Sequence, residues 1–114
     1  MNQRTVIDTT HALGMATVAY CPMAVGRVLQ EPVLIDIARL HRRSAAQIVL
    51  RWVIQQPGLI ALSRTANLAR LAENVAVFDF ELEPQEMLHI HALARPDSRI
   101  VSPVGLAPNW DPTD

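Results

Sequence analysis

Two short runs of apolar residues, 15–20 (MATVAY) and 59–62 (LIAL), place the strongest constraint on how this chain can fold. Neither run alternates with polar residues, which is typical of strands covered on both faces, as in parallel sheets. The residues between the runs have helical periodicity, and a helical crossover is the usual connection between parallel strands. The sequence therefore predicts an α/β fold in which these two runs are parallel strands.

Helices are predicted before, between and after the two strands. The sequence SAAQ from Ser44 to Gln47 is a capping box, which starts a helix by pairing two side chains with backbone amides. Proline in the first turn marks two further helix starts, at Pro32 and Pro84. The other predicted segments are helices over 2–13 and 67–73, a loop of small residues around Gly26, an extended stretch over 78–82, and a last helix that ends near residue 94.

Two buried strands do not make a complete domain. A two-stranded parallel sheet has two open edges and a small core, so such strands usually lie inside a larger sheet covered by helices. The helix that begins after Ser44 is apolar on two sides, and Trp52, Phe78 and Phe80 are predicted to lie in the core. We therefore expect this chain to be part of a larger α/β domain.

The composition limits the class of protein and its partners. Half of the 114 residues are hydrophobic and 18% are charged, so the chain has enough apolar surface to fold. A net charge of −1 with 4% aromatic residues gives no support for nucleic-acid binding. The single cysteine, Cys21, excludes an internal disulfide and fits a reducing compartment. With no signal peptide and no apolar run of about 20 residues, we expect a cytoplasmic protein without a membrane partner.

A polar segment, 63–74 (SRTANLARLAEN), directly follows the second strand. A helix start offers free N–H groups and the positive end of the helix dipole. Arg64 and Arg70 would add planar, charge-assisted donors that suit a phosphate group. The residues alone leave another interpretation open, in which this is a solvated helix face with a surface ion pair between Arg70 and Glu73.

Three stretches resemble the C-terminal third of the aldo-keto reductases: GMATVAYCPMAVG (14–26), AAQIVLRWVIQQPGLIALSRT (45–65) and LARLAENVAVFDFELEPQEM (68–87). The tail sequence RIVSPVGLAPNWD is similar to that of bacterial members such as the 2,5-diketo-gluconate reductases. The resemblance implies a fragment of a (β/α)8 TIM barrel, with 15–20 as strand 7 and 59–62 as strand 8. It also implies that residues 1–95 are the C-terminal part of the reductase domain and that 96–114 form an irregular tail.

The same resemblance implies an NADPH site. Tyr20 would stack against the nicotinamide ring, whereas the sequence alone indicates only a strand-end residue with its hydroxyl at the surface. Cys21, Pro22 and Met23 would wrap the pyrophosphate, with Cys21 standing where the family usually has a serine. Two further groups would hold the adenosine half of the cofactor. The 2′-phosphate would be bound by Arg64, Thr65 and Arg70, and the adenine edge by Glu73 and Asn74.

No catalytic residue is predicted in this chain. The catalytic Asp, Tyr, Lys and His of the aldo-keto reductases lie on earlier strands and loops of the barrel, which these residues do not match. His41, His89 and His91 form no convincing ligand set, so no metal site is predicted. Ser44 and Ser63 lack the partners that would activate a nucleophile.

The resemblance therefore predicts the cofactor-binding part of an NADPH-dependent enzyme that reduces a small-molecule aldehyde or ketone, with the isolated chain inactive. Two other interpretations stay open because the predicted strands have open edges. The chain could be a non-enzymatic remnant that self-associates, or a piece that completes a barrel with an N-terminal barrel fragment.

Overall fold

A computed structural model of the chain describes residues 3–20, 22, 24–94 and 105. The described elements are α1 (Arg4–Ala12), β1 (Thr17–Tyr20), α2 (Pro32–His41), α3 (Ala45–Ile54), β2 (Leu59–Leu62), α4 (Leu68–Val75) and α5 (Pro84–His91). Two 3-10 helices lie between them, Ala24–Gln30 before α2 and Ala76–Asp79 after α4. This order confirms the predicted α/β alternation of helices and strands.

The two strands pair in parallel, as predicted. Thr17 lies opposite Leu59, and Tyr20 lies opposite Leu62. β1 is shorter than the predicted run 15–20, because the backbone N–H of Met15 donates to the carbonyl oxygen of Thr10 at 2.8 Å. That bond places Met15 in the turn that ends α1, and the ladder begins two residues later.

One face of this small sheet is uncovered within the described residues. The side chains of Val18, Tyr20, Ile60 and Leu62 are all at least half exposed. Because the strands are paired in register, these four side chains lie on the same face of the sheet. The opposite face packs on α3, where Val53 is buried. The strands thus carry more apolar surface than the described residues cover.

The predicted capping box after Ser44 is confirmed. The Ser44 hydroxyl oxygen accepts from the backbone N–H of Gln47 at 3.2 Å, and Gln47 Oε1 accepts from the backbone N–H of Ser44 at 3.0 Å. A second box begins α5, where Glu86 Oε2 accepts from the backbone N–H of Glu83 at 2.8 Å. These side chains satisfy amides that have no partner inside the helix, which fixes where each helix begins.

The core lies between α2, α3 and α5. Its buried members are Leu34, Ile37, Ala38, Ile48, Val49, Leu82 and Ile90. α3 is buried on two sides, as predicted, since Ile48 and Val49 face this core while Leu50 and Val53 are also buried. α3 is therefore the element around which the helices and the sheet are arranged.

Two predictions of local structure are wrong. The segment around Gly26 is a 3-10 helix, Ala24–Gln30, whose Val28 and Leu29 pack against the core. The predicted extended stretch 78–82 is wrong in its first two residues, which belong to the 3-10 helix Ala76–Asp79, whereas Phe80 has an extended backbone. The helical turn buries Val77 and leaves Phe78 72% exposed, so Phe78 is not a core residue.

The other boundaries differ by a few residues. α1 covers Arg4–Ala12 of the predicted 2–13, and α4 continues to Val75, two residues past the predicted end. α5 ends at His91, before the predicted residue 94.

Of the other residues predicted to lie in the core, Phe80 and Trp52 are partly buried and pack against it. The tail predicted over 96–114 lies outside the described residues, apart from Gly105.

Candidate functional site

Both strands end at the same edge of the sheet. Tyr20 is the last residue of β1 and lies opposite Leu62, the last residue of β2. Ser63, Arg64 and Thr65 follow directly, so their side chains leave the carboxyl end of β2. In parallel α/β folds this edge is where ligands bind, because the loops that follow the strands converge there.

A pocket of about 310 Å³ opens beside this edge. Its walls come from four places in the chain: the first 3-10 helix, the start of α3, the loop after β2, and α4. All five residues that were predicted to hold the adenosine half of a cofactor line this pocket, namely Arg64, Thr65, Arg70, Glu73 and Asn74. The other lining residues are Leu29, Ser44, Ala45, Ala46 and Ser63. The tertiary structure therefore brings the whole predicted group to one concave surface.

Local hydrogen bonds set the start of α4 and so the position of its side chains. Asn67 Oδ1 accepts from the backbone N–H of Ala69 at 2.9 Å, which makes Asn67 the N-cap. Thr65 Oγ1 accepts from the backbone N–H of Asn67 at 3.1 Å. The predicted helix start at 67 agrees with this geometry. Arg70 and Glu73 are three residues apart on the helix, so they lie on the same side of α4.

The far end of α4 is tied to the end of β2. Asn74 Nδ2 donates to the Ser63 hydroxyl oxygen at 3.2 Å. This bond joins the two walls of the pocket that come from the β2 loop and from α4. Asn74 therefore stabilises the position of α4 relative to the β2 loop through its side-chain amide, a role that the sequence did not indicate.

The pocket has a cationic side. Arg64 and Arg70 are both exposed, and neither forms a salt bridge with another residue in the described ranges. The predicted alternative of an ion pair between Arg70 and Glu73 is wrong, since no such pair lies within 4.0 Å. Both side chains are exposed, so the interpretation of α4 as a solvated helix face stays open. Two unpaired guanidinium groups beside a polar pocket suit an anion with several oxygens, such as a phosphate.

The other predicted residues lie elsewhere or outside the description. Tyr20 is 74% exposed and, with Pro22, lines a separate pocket of about 290 Å³ between β1, α1 and α3. Its ring is at the same sheet edge as Arg64 but does not line the same pocket. Cys21 and Met23 lie outside the described residues, so their predicted roles stay predictions.

A row of polar side chains on α3 was not identified from the sequence. Gln47, Arg51 and Gln55 are spaced four residues apart and bond to the segment that runs from α4 to α5. Gln47 Nε2 donates to the Glu73 carbonyl at 2.9 Å, and Arg51 Nη1 donates to the Val77 carbonyl at 3.3 Å. The available signal was their i, i+4, i+8 spacing on a helix that is otherwise almost entirely apolar.

The histidines take part in packing. His41 Nε2 lies 2.8 and 2.9 Å from the two carboxylate oxygens of Glu86, which joins α2 to α5. The ring of His91 packs edge-on against Trp52 with centroids 5.4 Å apart. Burial, and secondarily the charge of Arg4, lower the pKa of His91 below its usual 6.5. Among the described residues, no group of three or more His, Cys, Asp or Glu side chains could hold a metal ion.

None of the helices in the described ranges has the length and apolar character that crossing a membrane requires. Among described residues, exposed apolar side chains are grouped on one face of the sheet and on one side of α4, besides single ones such as Leu40 on α2. On α4 and just beyond it, four apolar side chains are at least half exposed at helical spacing, namely Leu68, Leu71, Val75 and Phe78.

Similarity to known proteins extends over most of the chain. The Aldo/keto reductase family model matches residues 1–95. Methylglyoxal reductase DkgB of Yersinia pestis is 36% identical over 111 residues, which cover 97% of this chain and 41% of that protein. A crystal structure of a candidate 2,5-diketo-D-gluconic acid reductase B matches 97% of this chain with a TM-score of 0.91 and 49% identity, and 40% of that chain is covered.

A crystal structure of a Gox0644 mutant in complex with NADPH is also similar, with a TM-score of 0.81 and 37% identity. The match covers 85% of this chain and 35% of that one. The chain spans about a third of the length of the first curated relatives that it matches. Both solved structures share the fold of this chain, and each of them is a longer protein.

Proposed function

The chain belongs to the aldo/keto reductase family, and we propose that it is the C-terminal, cofactor-binding part of an NADPH-dependent reductase of aldehydes or ketones. In this proposal residues 1–95 are part of the reductase domain, and β1 and β2 are strands 7 and 8 of its (β/α)8 barrel. The tail 96–114 follows that domain. The single cysteine in the sequence supports a reducing, cytoplasmic location.

One observation carries the proposal. The five residues proposed for the adenosine half of the cofactor come from a loop and a helix, yet all of them line the same pocket. Its volume of about 310 Å³ is at the lower end of the range for ligand pockets, as suits half of a dinucleotide. The two exposed guanidinium groups supply the positive charge that a 2′-phosphate requires.

Each proposed contact follows from the chemistry of the side chain. Arg64, Arg70 and Thr65 bind the 2′-phosphate, because they supply charged and hydroxyl donors to the lining of the pocket. Glu73 and Asn74 face the adenine edge, where an acceptor and an amide can recognise ring nitrogens and the amino group. A 2′-phosphate distinguishes NADPH from NADH, so Arg64, Arg70 and Thr65 also give the site its preference for NADPH.

The sheet edge next to the pocket suits the other half of the cofactor. NADPH, when bound, supplies the hydride for carbonyl reduction. Tyr20 presents a largely exposed ring at the carboxyl end of β1, which offers a flat apolar surface for a nicotinamide ring. Pro22, with Cys21 and Met23, follows at the position proposed for the pyrophosphate. No residue of this chain is proposed to donate the proton, so the catalytic tetrad belongs to the rest of the barrel.

A fluorescence titration with NADPH tests this proposal. We expect the unmodified chain to bind NADPH and to prefer it over NADH. The variant with both Arg64→Ala and Arg70→Ala should bind NADPH at least about tenfold more weakly, because each charged hydrogen bond to a phosphate contributes roughly 1.5 kcal/mol or more. Binding of NADH should change much less, since NADH has no 2′-phosphate.

The matched control is Arg39→Ala, which removes an exposed arginine from α2 that does not line this pocket. It should bind NADPH like the unmodified chain. Equal NADPH affinity in the double variant and the control would refute the phosphate site. Oxidation of NADPH by a reactive aldehyde should stay at the blank rate with the isolated chain, and a rate above blank would contradict the absence of a proton donor.

The uncovered sheet face favours two other candidates: a non-enzymatic remnant that self-associates, and a piece that completes a barrel with a partner chain. Val18, Tyr20, Ile60 and Leu62 expose an apolar face that a larger barrel would cover, or that a second copy or an N-terminal barrel fragment could cover instead. Size-exclusion chromatography distinguishes these cases. A concentration-dependent oligomer that does not bind NADPH would favour a self-associating remnant. Reductase activity that appears only after mixing with an N-terminal barrel fragment would favour assembly of a barrel from two chains.

A further inference from the structure

Gln47 stands out because it is polar and buried. It is only 6% exposed, and it is the single buried polar residue among the described ones. It lies in the first turn of α3, directly before the core residues Ile48 and Val49. Placing a primary amide in an apolar interior is unfavourable unless its hydrogen bonds are made, so its partners indicate what it stabilises.

Those partners belong to two different walls of the pocket. Gln47 Oε1 accepts from the backbone N–H of Ser44 at 3.0 Å, and Gln47 Nε2 donates to the Glu73 carbonyl oxygen at 2.9 Å. Ser44 and Glu73 both line the 310 Å³ pocket, whereas Gln47 does not. One buried amide therefore connects the start of α3 to the last turn of α4 from behind the pocket.

We propose that Gln47 is a positioning residue for the adenosine pocket, which holds α4 at the distance from α3 that ligand binding requires. This inference rests on the proposed function, because it assigns a role in the same site. The carbonyl of Glu73 is in the last turn of α4, where backbone carbonyls lack partners within the helix. The bond from Gln47 satisfies that carbonyl and fixes α4, and with α4 the Arg70 and Glu73 side chains, against the rigid core.

Gln55 provides a matched comparison on the same helix. Its Nε2 donates to the Leu82 carbonyl at 2.7 Å, and its Oε1 accepts from the Leu82 backbone N–H at 2.9 Å. Gln55 Oε1 also accepts from Arg51 Nε at 2.9 Å. Both glutamines therefore bond to backbone groups of the segment after β2, although Gln55 is only partly buried. Gln55 and Leu82 do not line the adenosine pocket. A purely structural role would give both glutamines the same effect on ligand binding.

The experiment measures binding of 2′,5′-ADP by calorimetry, together with the thermal midpoint of each protein. This probe carries the adenine and the 2′-phosphate and nothing of the nicotinamide half. Gln47→Met removes both side-chain bonds. Gln47→Glu keeps an acceptor for the Ser44 amide, so the capping box is retained, but it replaces the donor to Glu73 with a carboxylate oxygen that faces the carbonyl oxygen. Gln55→Met is the control.

We expect both Gln47 variants to bind 2′,5′-ADP about five- to tenfold more weakly, in line with the loss of the one buried hydrogen bond that joins α3 to α4, which neither variant can form. Gln55→Met should bind it like the unmodified chain, even where its thermal midpoint falls as far as that of Gln47→Met. Unchanged binding in Gln47→Glu, or equal weakening in Gln55→Met, would overturn the positioning role.

The failure of the site itself has a different signature. If the unmodified chain does not bind 2′,5′-ADP, then the proposed function fails and this inference fails with it. If the unmodified chain binds 2′,5′-ADP and the Gln47 variants bind it as tightly as Gln55→Met does, then the adenosine pocket is supported and Gln47 has only a structural role.

Discussion

Replacement of Ile48 by alanine tests whether α3 organises this chain. Ile48 is 0% exposed and is a member of the core between α2, α3 and α5. The substitution removes three carbon groups, each contributing about 0.8 kcal/mol of transfer free energy. The cavity left behind adds to this loss, because the surrounding helices relax only partly, and together they give about 3–4 kcal/mol. Domains of this size typically have roughly 5–15 kcal/mol of unfolding free energy in total.

Urea denaturation followed by far-ultraviolet circular dichroism measures the effect. The unfolding midpoint of Ile48→Ala should fall steeply while the slope of the transition stays the same. Leu40→Ala is the control, because Leu40 is an apolar residue on α2 that is 79% exposed, and its loss should change the unfolding free energy by less than about 0.5 kcal/mol. An Ile48→Ala protein within about 0.5 kcal/mol of the unmodified chain would refute the placement of the core.

Two further predictions concern stability. Burial, and secondarily the charge of Arg4, lower the pKa of His91 in the folded state. Neutral His91 therefore contributes fully to the free energy of unfolding above the unfolded pKa of about 6.5, and this contribution is lost as the pH falls toward the lower folded pKa. The decline in urea midpoint on acidification should therefore be shallower in His91→Asn than in the control His89→Asn, an exposed position on the same helix, and equal slopes would contradict this. Ser44→Ala should cost about 1 kcal/mol of unfolding free energy by removing the N-cap oxygen of α3. Thr9→Ala, which loses only a bond to its own helix backbone, should be near neutral, and an equal loss in both would argue against the cap.

The sequence was informative wherever the cause is local. The capping box at Ser44 and the proline at the start of α5 depend on side chains a few residues apart, and both helices begin where they were predicted. The strand β2 was bounded correctly because Pro57 and Gly58 interrupt the chain before it. The resemblance also selected the residues that line the pocket, although their role in binding is still a prediction.

The errors arise where packing overrides a local pattern. Phe78, Phe80 and Leu82 alternate with charged residues, which indicated an extended stretch from residue 78 onward. In the structure α3 holds this segment through hydrogen bonds from Arg51 and Gln55, and no neighbouring strand within the described residues is available to pair with it. The chain turns as a 3-10 helix instead and buries Val77. Period-two alternation is therefore not sufficient when the partner that would form the ladder is missing from the surroundings.

The sequence by itself determined the parallel α/β character, the starts of the helices and the residues capable of binding an anion, because these depend on residue type and short-range spacing. Only the tertiary structure decided which of those residues meet. It placed Arg64 and Arg70 beside the start of α3, left Tyr20 on another surface at the same sheet edge, and buried Gln47 between Ser44 and Glu73. The bond between Gln47 and Glu73 joins residues 26 positions apart, and short-range spacing does not predict such a contact, which depends on the packing of α3 against α4.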